Sequence, residues 1–296
     1  MLLPGFTEID VQRGDARLRV KRAGKGAPLL LLHGHPQSMT MWHRVAPALA
    51  QRFTVVLMDL RGYGDSSRPA PGEGSAAYAK REMALDAAQV MSALGFDRFQ
   101  VLAHDRGARV AHRLAADHPA RVERMLLLDI APTLAMYALA GDAFARAYWH
   151  WFFLIQQPPL PEALIESDPV RYVRSVMGAR HAGLAAFDPL ALAQYERCAG
   201  LPGTAQAICA DYRASAGIDL EHDRHDVAAG RRLAMPLRVL WGEHGVVGRC
   251  FDVLALWRER AVDVSGRSVD CGHYLAEEAP QAVLDEAFKF FQETMP

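Results

Sequence analysis

The chain has 296 residues, 51% of them apolar, and its 33 Lys and Arg residues nearly balance its 34 Asp and Glu residues. Such a chain is typical of a soluble globular protein, with one large domain or a domain that carries an insertion. A net charge of −1 provides no field that would recruit nucleic acid or a membrane surface. No apolar run approaches the ~18 residues of a membrane helix, and the N-terminal MLLPGFTEIDVQRGD lacks the pattern of a signal peptide. The four cysteines are scattered without a CxxC pair, so we expect a reduced, cytoplasmic protein.

Apolar runs separated by helical patterns predict a parallel sheet in the first part of the chain. A short alternating strand at 17–23 is followed by APLLLLHGHP and by FTVVLMDLRGYGDS, which ends in glycines. The helical stretch YAKREMALDAAQVMSALG comes next, then FQVLAHDRG with its helix, and then VERMLLLDIAPT. Because these runs do not alternate with polar residues, they are typical of parallel strands covered on both faces.

The pattern changes after Pro132. From about Thr133 to Gly230, helical stretches with large aromatic residues and proline-rich breaks replace the strands. The strand and helix rhythm returns with MPLRVLWGEHG and ends with the helix APQAVLDEAFKFFQETM. We therefore predict a core formed by residues 1–132 and 231–296, with residues 133–230 inserted between two strands as a helical cap.

The corner LAHDRGARV joins a predicted strand to a predicted helix and has the pattern of a nucleophile elbow. Such an elbow places the nucleophile between small residues on a sharp turn, and here Ala103 and Gly107 flank Asp105. A carboxylate at the positive end of a helix is ionised at pH 7. It suits displacement at a saturated carbon or opening of an epoxide, and it leaves an ester on the enzyme. The alternative is that Asp105 merely caps the helix.

Hydrolysis of an ester intermediate requires a base and an acid that orients it. His273, in VDCGHYLAEEAP just before the final helix, is the candidate base. Two carboxylates follow predicted strands and could fix its tautomer, namely Asp129 after MLLLDI and Glu243 after LRVLW. We favour Asp129.

Over nearly its whole length the chain resembles the fluoroacetate (haloacetate) dehalogenases of the α/β-hydrolase superfamily. The resemblance runs through LLLLHGHPQSMTMWHRVAPALAQRFTVV, DLRGYGDS, HDRGARV, YWHWFFLIQQPPLP, CADYRA and CGHYLAEEAP. It implies an α/β-hydrolase fold in which Asp105 attacks the substrate and His273, with Asp129, activates water. It further implies that Arg106 and Arg109 hold the substrate carboxylate.

The two arginines agree with an anionic substrate on physical grounds. Two like charges ~5 Å apart repel by about 3 kcal/mol at an effective dielectric near 20, so an anionic nucleophile needs positive charge nearby to attack a haloacetate. Arg106 and Arg109 are spaced i, i+3 and share one helix face. Guanidinium groups also match the geometry of a carboxylate.

The resemblance implies that His150, Trp151 and Tyr212 surround the departing halide. Backside displacement sends the leaving group away from Asp105, and these three residues lie in the predicted cap. Each side chain can donate a hydrogen bond, as fluoride in particular requires. The alternative is that WHWFF is simply an aromatic stripe in the core of the cap.

Two departures from the resembled family affect the pocket. His35 stands where an aromatic Phe usually follows HG, although its backbone N–H, with that of Arg106, could still form an oxyanion hole. The stretch between Met177 and Gly183 lacks the family's tryptophan, which bears on cap closure and on the preferred halogen.

The sequence therefore predicts a hydrolase, with no cofactor, that converts fluoroacetate or a related 2-haloacid to the 2-hydroxy acid and halide. The alternatives are an epoxide hydrolase with the same Asp and His residues, and a non-catalytic ligand-binding protein. HGHP and EHDRHD, both expected in turns, do not complete a metal-ligand set, so we expect no metal. We expect a small-molecule haloacid as the only ligand, no nucleic acid or membrane partner, and, from the family, a homodimer.

Overall fold

A computed structural model describes residues 2–292. Within these residues, eight strands form one sheet in the order β1-β2-β4-β3-β5-β6-β7-β8. β1 pairs antiparallel with β2, and β2 pairs antiparallel with β4, whereas all other neighbouring strands run parallel. The strands are β1 (Thr7–Arg13), β2 (Ala16–Ala23), β3 (Pro28–Leu32), β4 (Thr54–Met58), β5 (Phe99–His104), β6 (Val122–Leu128), β7 (Leu237–Gly242) and β8 (Val264–Val269).

Helices connect the strands from β3 onward. They are α1 (Ala46–Leu49), α2 (Lys80–Ala93), α3 (Asp105–Asp117), α4 (Thr133–Ala138), α5 (Asp142–Ala147), α6 (Trp149–Leu154), α7 (Leu160–Ser167), α8 (Pro169–Gly178), α9 (Pro189–Ala199), α10 (Thr204–Ala216), α11 (Ile218–Ala228), α12 (Val246–Cys250), α13 (Val253–Arg258), α14 (Leu275–Glu278) and α15 (Pro280–Gln292). Short 3₁₀ helices occupy Met39–Arg44, Glu73–Tyr78 and Gly183–Ala186. None of these helices is long and apolar enough to cross a membrane, within the part of the chain that the structure describes.

The central strands form the core of the sheet, as their sequences predict. β4 and β5 are buried at every position, and β3 and β6 at all but one each. Helices on either side supply the apolar cover that such two-sided burial requires. The mostly parallel, helix-flanked sheet is thus confirmed.

The sequence reading missed the two edge strands. β1 is mostly exposed, and β8 carries Ser, Gly and Arg residues that are only partly buried. Neither strand has the continuous apolar run that identifies a central parallel strand, because an edge strand contacts fewer neighbours.

Helices α4 to α11 lie between β6 and β7, and no strand interrupts them in the described range 133–228. We call them the inserted helices. That residues 133–230 form a cap separate from the sheet domain stays a prediction.

The sheet brings the ends of three strands together. β5, β6 and β7 are neighbours and run parallel, with His104 paired to Leu128 and Leu128 paired to Leu240. Residues that directly follow these strands therefore meet at one edge, the usual place for a ligand site in such sheets.

Candidate active site

Asp105 occupies a strained turn between β5 and α3. Its φ of +45° is uncommon for a residue with a side chain and costs free energy that the surroundings must supply. The turn is crowded: a Cβ added to Gly107 would lie 2.4 Å from the carbonyl oxygen of His33. One added to Gly34 would lie 2.5 Å from Cβ of Asp105. Small residues on both sides thus permit the elbow that the sequence predicts.

The Asp105 carboxylate is buried and surrounded by donors and cations. The backbone N–H of His35 donates to its Oδ1 at 2.9 Å. Burial acts to raise the pKa of Asp105, but electrostatic attraction to His273, His104 and Arg109 outweighs it and holds the pKa well below its usual range. The group is therefore an ionised carboxylate at neutral pH.

His273 and Asp129 form a hydrogen-bonded pair. Nδ1 of His273 lies 2.6 Å from Oδ2 of Asp129, and both side chains are buried. The backbone N–H of Gly242, at the end of β7, donates to the other Asp129 oxygen at 3.0 Å. A proton on Nδ1 would satisfy Asp129 and leave Nε2 of His273 as an acceptor. Glu243, the other candidate acid, is exposed.

His104 supports the loop that carries His273. Its ring centroid lies 4.6 Å from that of His273, and its Nε2 is 2.8 Å from the backbone carbonyl oxygen of the same residue. Burial lowers the pKa of His104 to about 4, so it is neutral at pH 7. The sequence reading assigned no role to this residue.

Arg106 is fully buried and held by Asp211 of α10. Its Nε and Nη2 donate to the two Asp211 carboxylate oxygens at 2.8 and 2.9 Å, and Nη2 also donates to Ser215 Oγ at 2.6 Å. The guanidinium carbon lies 4.1 Å above the ring of Tyr212. Nη1 is buried and has no hydrogen-bond partner among residues 2–292. Arg106 therefore keeps one donor available, while its charge is compensated by a carboxylate that we did not predict.

Arg109 lies one turn further along α3 and is also buried. Its Nη1 donates to Thr133 Oγ1 at 2.7 Å, and the guanidinium carbon lies 4.7 Å above the Trp151 ring. Its Nε is buried without a hydrogen-bond partner in the described chain. The structure thus places both predicted arginines in the interior, each with a spare N–H group.

The inserted helices bring the three predicted halide donors to one cluster with His35. The His150 ring is stacked with that of His35 at 6.0 Å, and Tyr212 contacts both, at 5.9 and 5.3 Å. Trp151 lies 6.4 Å from Tyr212. Tyr212 Oη and Trp151 Nε1 are buried and lack a hydrogen-bond partner within residues 2–292.

Both imidazoles in this cluster are neutral. Burial lowers the pKa of His35 to about 3 and holds the pKa of His150 well below its usual value. Tyr212 keeps its proton because burial raises its pKa well above 10. The wall of the site formed by these three side chains therefore offers neutral donors.

Asp211 is the main residue that the sequence reading missed. It accepts from Arg106, from Tyr63 Oη at 2.7 Å and from Lys80 Nζ, and it is fully buried. Burial acts to raise its pKa, but the charges of Arg106 and Lys80 lower it well below the usual value. The one signal in the sequence is an acid among small apolar residues in AICADYRASA, directly before Tyr212.

The histidine and acid stretch EHDRHD is helical, which corrects the expected turn. It lies in α11, where Asp223 and Asp226 pair with Arg113 of α3 at 2.9 and 2.7 Å. These acids therefore connect an inserted helix to α3. In the part of the chain that is described, no three His, Cys, Asp or Glu side chains are grouped closely enough to hold a metal ion.

Comparison with known proteins places the chain in a family. Residues 27–164 match the model of the α/β-hydrolase fold. The chain is 40% identical to a fluoroacetate dehalogenase of Burkholderia sp. over 94% of its own length and 91% of that protein. It is 38% identical to a soluble epoxide hydrolase of Corynebacterium sp. (strain C12), with 93% of each chain covered.

A solved structure from Nostoc sp. PCC 7120, described by its α/β-hydrolase fold, is 52% identical. It superimposes with a TM-score of 0.96 and covers 99% of this chain and all of that one. The mostly parallel sheet and the strained elbow agree with these similarities. The chain belongs to the α/β-hydrolase family and is a hydrolase similar to fluoroacetate dehalogenase.

Proposed function

We propose that the protein hydrolyses fluoroacetate or a related small 2-haloacid to the 2-hydroxy acid. A carboxylate oxygen of Asp105 attacks the halogen-bearing carbon, so that a C–O bond forms while the C–halogen bond breaks and its electron pair leaves with the halide. His273, oriented by Asp129, then removes a proton from a water molecule that attacks the Asp105 ester carbonyl. The bond between the Asp105 carbonyl carbon and the product oxygen breaks, the proton on His273 passes to that oxygen, and the regenerated Asp105 carboxyl group releases its own proton to solvent.

The observation that carries the proposal is the pair of spare guanidinium donors next to Asp105. Arg106 Nη1 and Arg109 Nε are buried without hydrogen-bond partners in the described residues. A buried charged donor that lacks a partner costs free energy, so such groups are expected to meet one in the working complex. A substrate carboxylate one bond from the reacting carbon would accept from both arginines.

The negative charge that forms on the tetrahedral ester intermediate also has a donor. The His35 backbone N–H already donates to Asp105 Oδ1. In the intermediate the same N–H would stabilise the oxyanion, as we expected from the sequence. The His35 side chain instead contacts Tyr172 Oη at 3.0 Å through Nε2, so it belongs to the aromatic cluster beside Asp105.

Epoxide hydrolysis is the second candidate, and one observation favours it. The hydroxyl groups of Tyr148 and Tyr212 are buried, have no hydrogen-bond partner among residues 2–292, and keep their protons because burial raises both pKa values. Such hydroxyls could donate a proton to the oxygen of an opening epoxide ring. The similarity to the Corynebacterium epoxide hydrolase agrees with this alternative.

Substrate turnover separates the two reactions. The purified protein is incubated with fluoroacetate, chloroacetate and bromoacetate while halide release is measured, and with styrene oxide while diol formation is measured. We expect halide release from at least one haloacetate at a kcat/KM well above any value for styrene oxide. Turnover of styrene oxide alone would replace our proposal with the epoxide reaction, and no turnover of any substrate would favour a binding protein.

A substrate without a carboxylate is the matched control for the role of the two arginines. Chloroacetamide has the same leaving group as chloroacetate but no carboxylate. We expect its kcat/KM to be lower by at least a hundredfold, because it leaves both guanidinium donors without an anion. Equal kcat/KM values for the two compounds would show that the arginines do not recognise the substrate carboxylate.

A further inference from the structure

Arg180 is a third arginine near the site, and it comes from the inserted helices. It follows α8 in the stretch between Met177 and Gly183, and its side chain is partly buried. Its guanidinium carbon lies 4.5 Å above the ring of Tyr148, and its Nη1 donates to the carbonyl oxygen of Ala147 at 3.3 Å. Its Nε is enclosed and forms no hydrogen bond of good geometry in the range 2–292, and the hydroxyl group of Tyr274, which likewise forms none, lies beside the guanidinium.

Packing holds this segment against the loop that carries His273. A Cβ added to Gly272, directly before His273, would lie 2.9 Å from Cβ of His181. The His181 ring is stacked on that of His244 at 4.3 Å, which adds a second contact to the sheet side. The segment that carries Arg180 is therefore packed against the loop that carries His273.

Tyr148 connects Arg180 with the proposed reaction centre. The Tyr148 ring centroid lies 5.3 Å from that of His150 and 6.3 Å from that of His273. After burial, the charge of Arg180 is the largest contribution to the low pKa of His150. The cation thus acts on the donor cluster that contains His35 and His150.

The proposed displacement moves one negative charge across the site. Asp105 loses its charge when the ester forms, and the departing halide gains it on the opposite side. Arg106 and Arg109 belong to α3 and remain beside Asp105 and the substrate carboxylate. His35 and His150 are neutral and offer only dipoles to the halide. A full positive charge on the halide side would stabilise the negative charge that the departing halide gains.

We propose that Arg180 binds the leaving halide, with its free Nε–H directed at the anion and its guanidinium held over Tyr148. This inference rests on the proposed haloacid reaction, since it assigns a residue to the departing group of that reaction. The charge of Arg180 compensates the halide in the first step and retains it until the ester has been hydrolysed.

Bromide binding tests the inference without turnover. Sodium bromide is titrated calorimetrically, at constant ionic strength, into the wild-type protein and into the variants Arg180→Gln, Arg180→Lys and Arg174→Gln. We expect Arg180→Gln to bind bromide about 10- to 100-fold more weakly, the range for loss of a charged hydrogen bond. Arg180→Lys should retain part of the affinity. Arg174 on α8 is half-exposed and pairs with Glu196 at 2.7 Å, so its substitution is the matched control and should change nothing.

The outcomes separate this inference from the proposed function. Unchanged bromide affinity in Arg180→Gln, or no measurable affinity in the wild-type protein, would overturn it. If Arg180→Gln impairs only the turnover of haloacids that carry a second carboxylate and leaves bromide affinity intact, Arg180 binds the substrate. That result would also overturn the inference. If bromide binding depends on Arg180 while no haloacid is turned over, the proposed haloacid reaction is wrong, whereas the assignment of Arg180 to an anion site is supported. Should Arg180→Gln fail to fold by circular dichroism, Arg180→Met keeps the aliphatic stem over Tyr148 and replaces it in the titration.

Discussion

Asp211 holds Arg106 in a fixed orientation by two parallel hydrogen bonds, of 2.8 and 2.9 Å, between Nε, Nη2 and the two carboxylate oxygens. This pair joins α10 of the inserted helices to α3, which begins at Asp105. Because the fork occupies one edge of the guanidinium, Nη1 is the donor that remains for a ligand. Asp211 is therefore a positioning residue in our proposal.

We expect Asp211→Asn to raise KM for a haloacetate by at least tenfold, with a smaller change in kcat. The amide has one acceptor oxygen and an NH2 donor in place of the second, so it cannot form both parallel hydrogen bonds to Arg106, and the guanidinium loses its orientation toward the substrate carboxylate. Removing one partner of a buried ion pair should also reduce the free energy of unfolding by about 3–5 kcal/mol. Steady-state kinetics and urea unfolding measure the two effects.

Asp223→Asn is the matched control for that variant. Asp223 also pairs with an arginine of α3, Arg113, but at the far end of the helix. We expect the Asp223→Asn variant to have a lower free energy of unfolding and an unchanged KM. An equal increase of KM in both variants would mean that the effect is merely one of helix packing.

We expect His273→Asn to accumulate a covalent adduct after exposure to a haloacetate. Asparagine cannot remove a proton from water, so the ester on Asp105 would form and persist. Intact-mass spectrometry should find the protein heavier by one carboxymethyl group, and peptide mapping should place that group on Asp105. The double variant Asp105→Ala, His273→Asn should show no adduct. An unmodified His273→Asn protein that still releases halide would contradict the two-step route.

We expect Gly34→Ala to impair activity far more than its small size implies. The new methyl group would lie 2.5 Å from Cβ and 2.7 Å from Oδ1 of Asp105, so the carboxylate must move. A displacement near 1 Å at the reacting atom is enough for about a 100-fold loss in kcat. Gly141→Ala is the control, because nothing lies within 4 Å of the added carbon and its φ of −112° suits any residue. Similar kcat values for both variants would show that the elbow tolerates movement of Asp105.

We expect Glu277 to make the protein less stable as pH rises from about 4.5 to about 8. Glu277 is buried in α14, where it accepts from Tyr195 Oη of α9 at 3.0 Å and from Gln37 Nε2. Burial raises its pKa to about 8, so in this interval the folded protein holds a proton that the unfolded chain has lost. The unfolded state then binds fewer protons, and the free energy of unfolding falls with pH.

Urea unfolding of wild-type protein and Glu277→Gln at several pH values measures this effect. The stability of the wild type relative to the variant should fall from pH 5 to pH 8. Glu259→Gln, at an exposed carboxylate, should leave the pH profile unchanged. Parallel profiles for the wild type and Glu277→Gln would exclude a raised pKa.

Much of the fold could be predicted because local sequence carries the information. The apolar runs at 28–32, 54–58, 99–104 and 122–128 are typical of central parallel strands, and the structure has β3 to β6 at these positions. The elbow was recognisable because a nucleophile between small residues at a strand end is a local pattern. The edge strands and the helical form of EHDRHD were missed because their polar residues are stabilised by partners distant in sequence.

The sequence by itself determined which groups we propose for the site, namely a carboxylate at an elbow, a histidine before the last helix and two arginines one turn apart. Only the tertiary structure decided between Asp129 and Glu243 as the neighbour of His273, because β6 lies between β5 and β7 and points Asp129 at the imidazole, whereas Glu243 is left in solvent. It also brought Asp211 to Arg106, 105 residues away, and Arg180 to Tyr148. Pairing of buried charges depends on distances between side chains in the folded chain, and no local pattern encodes those distances.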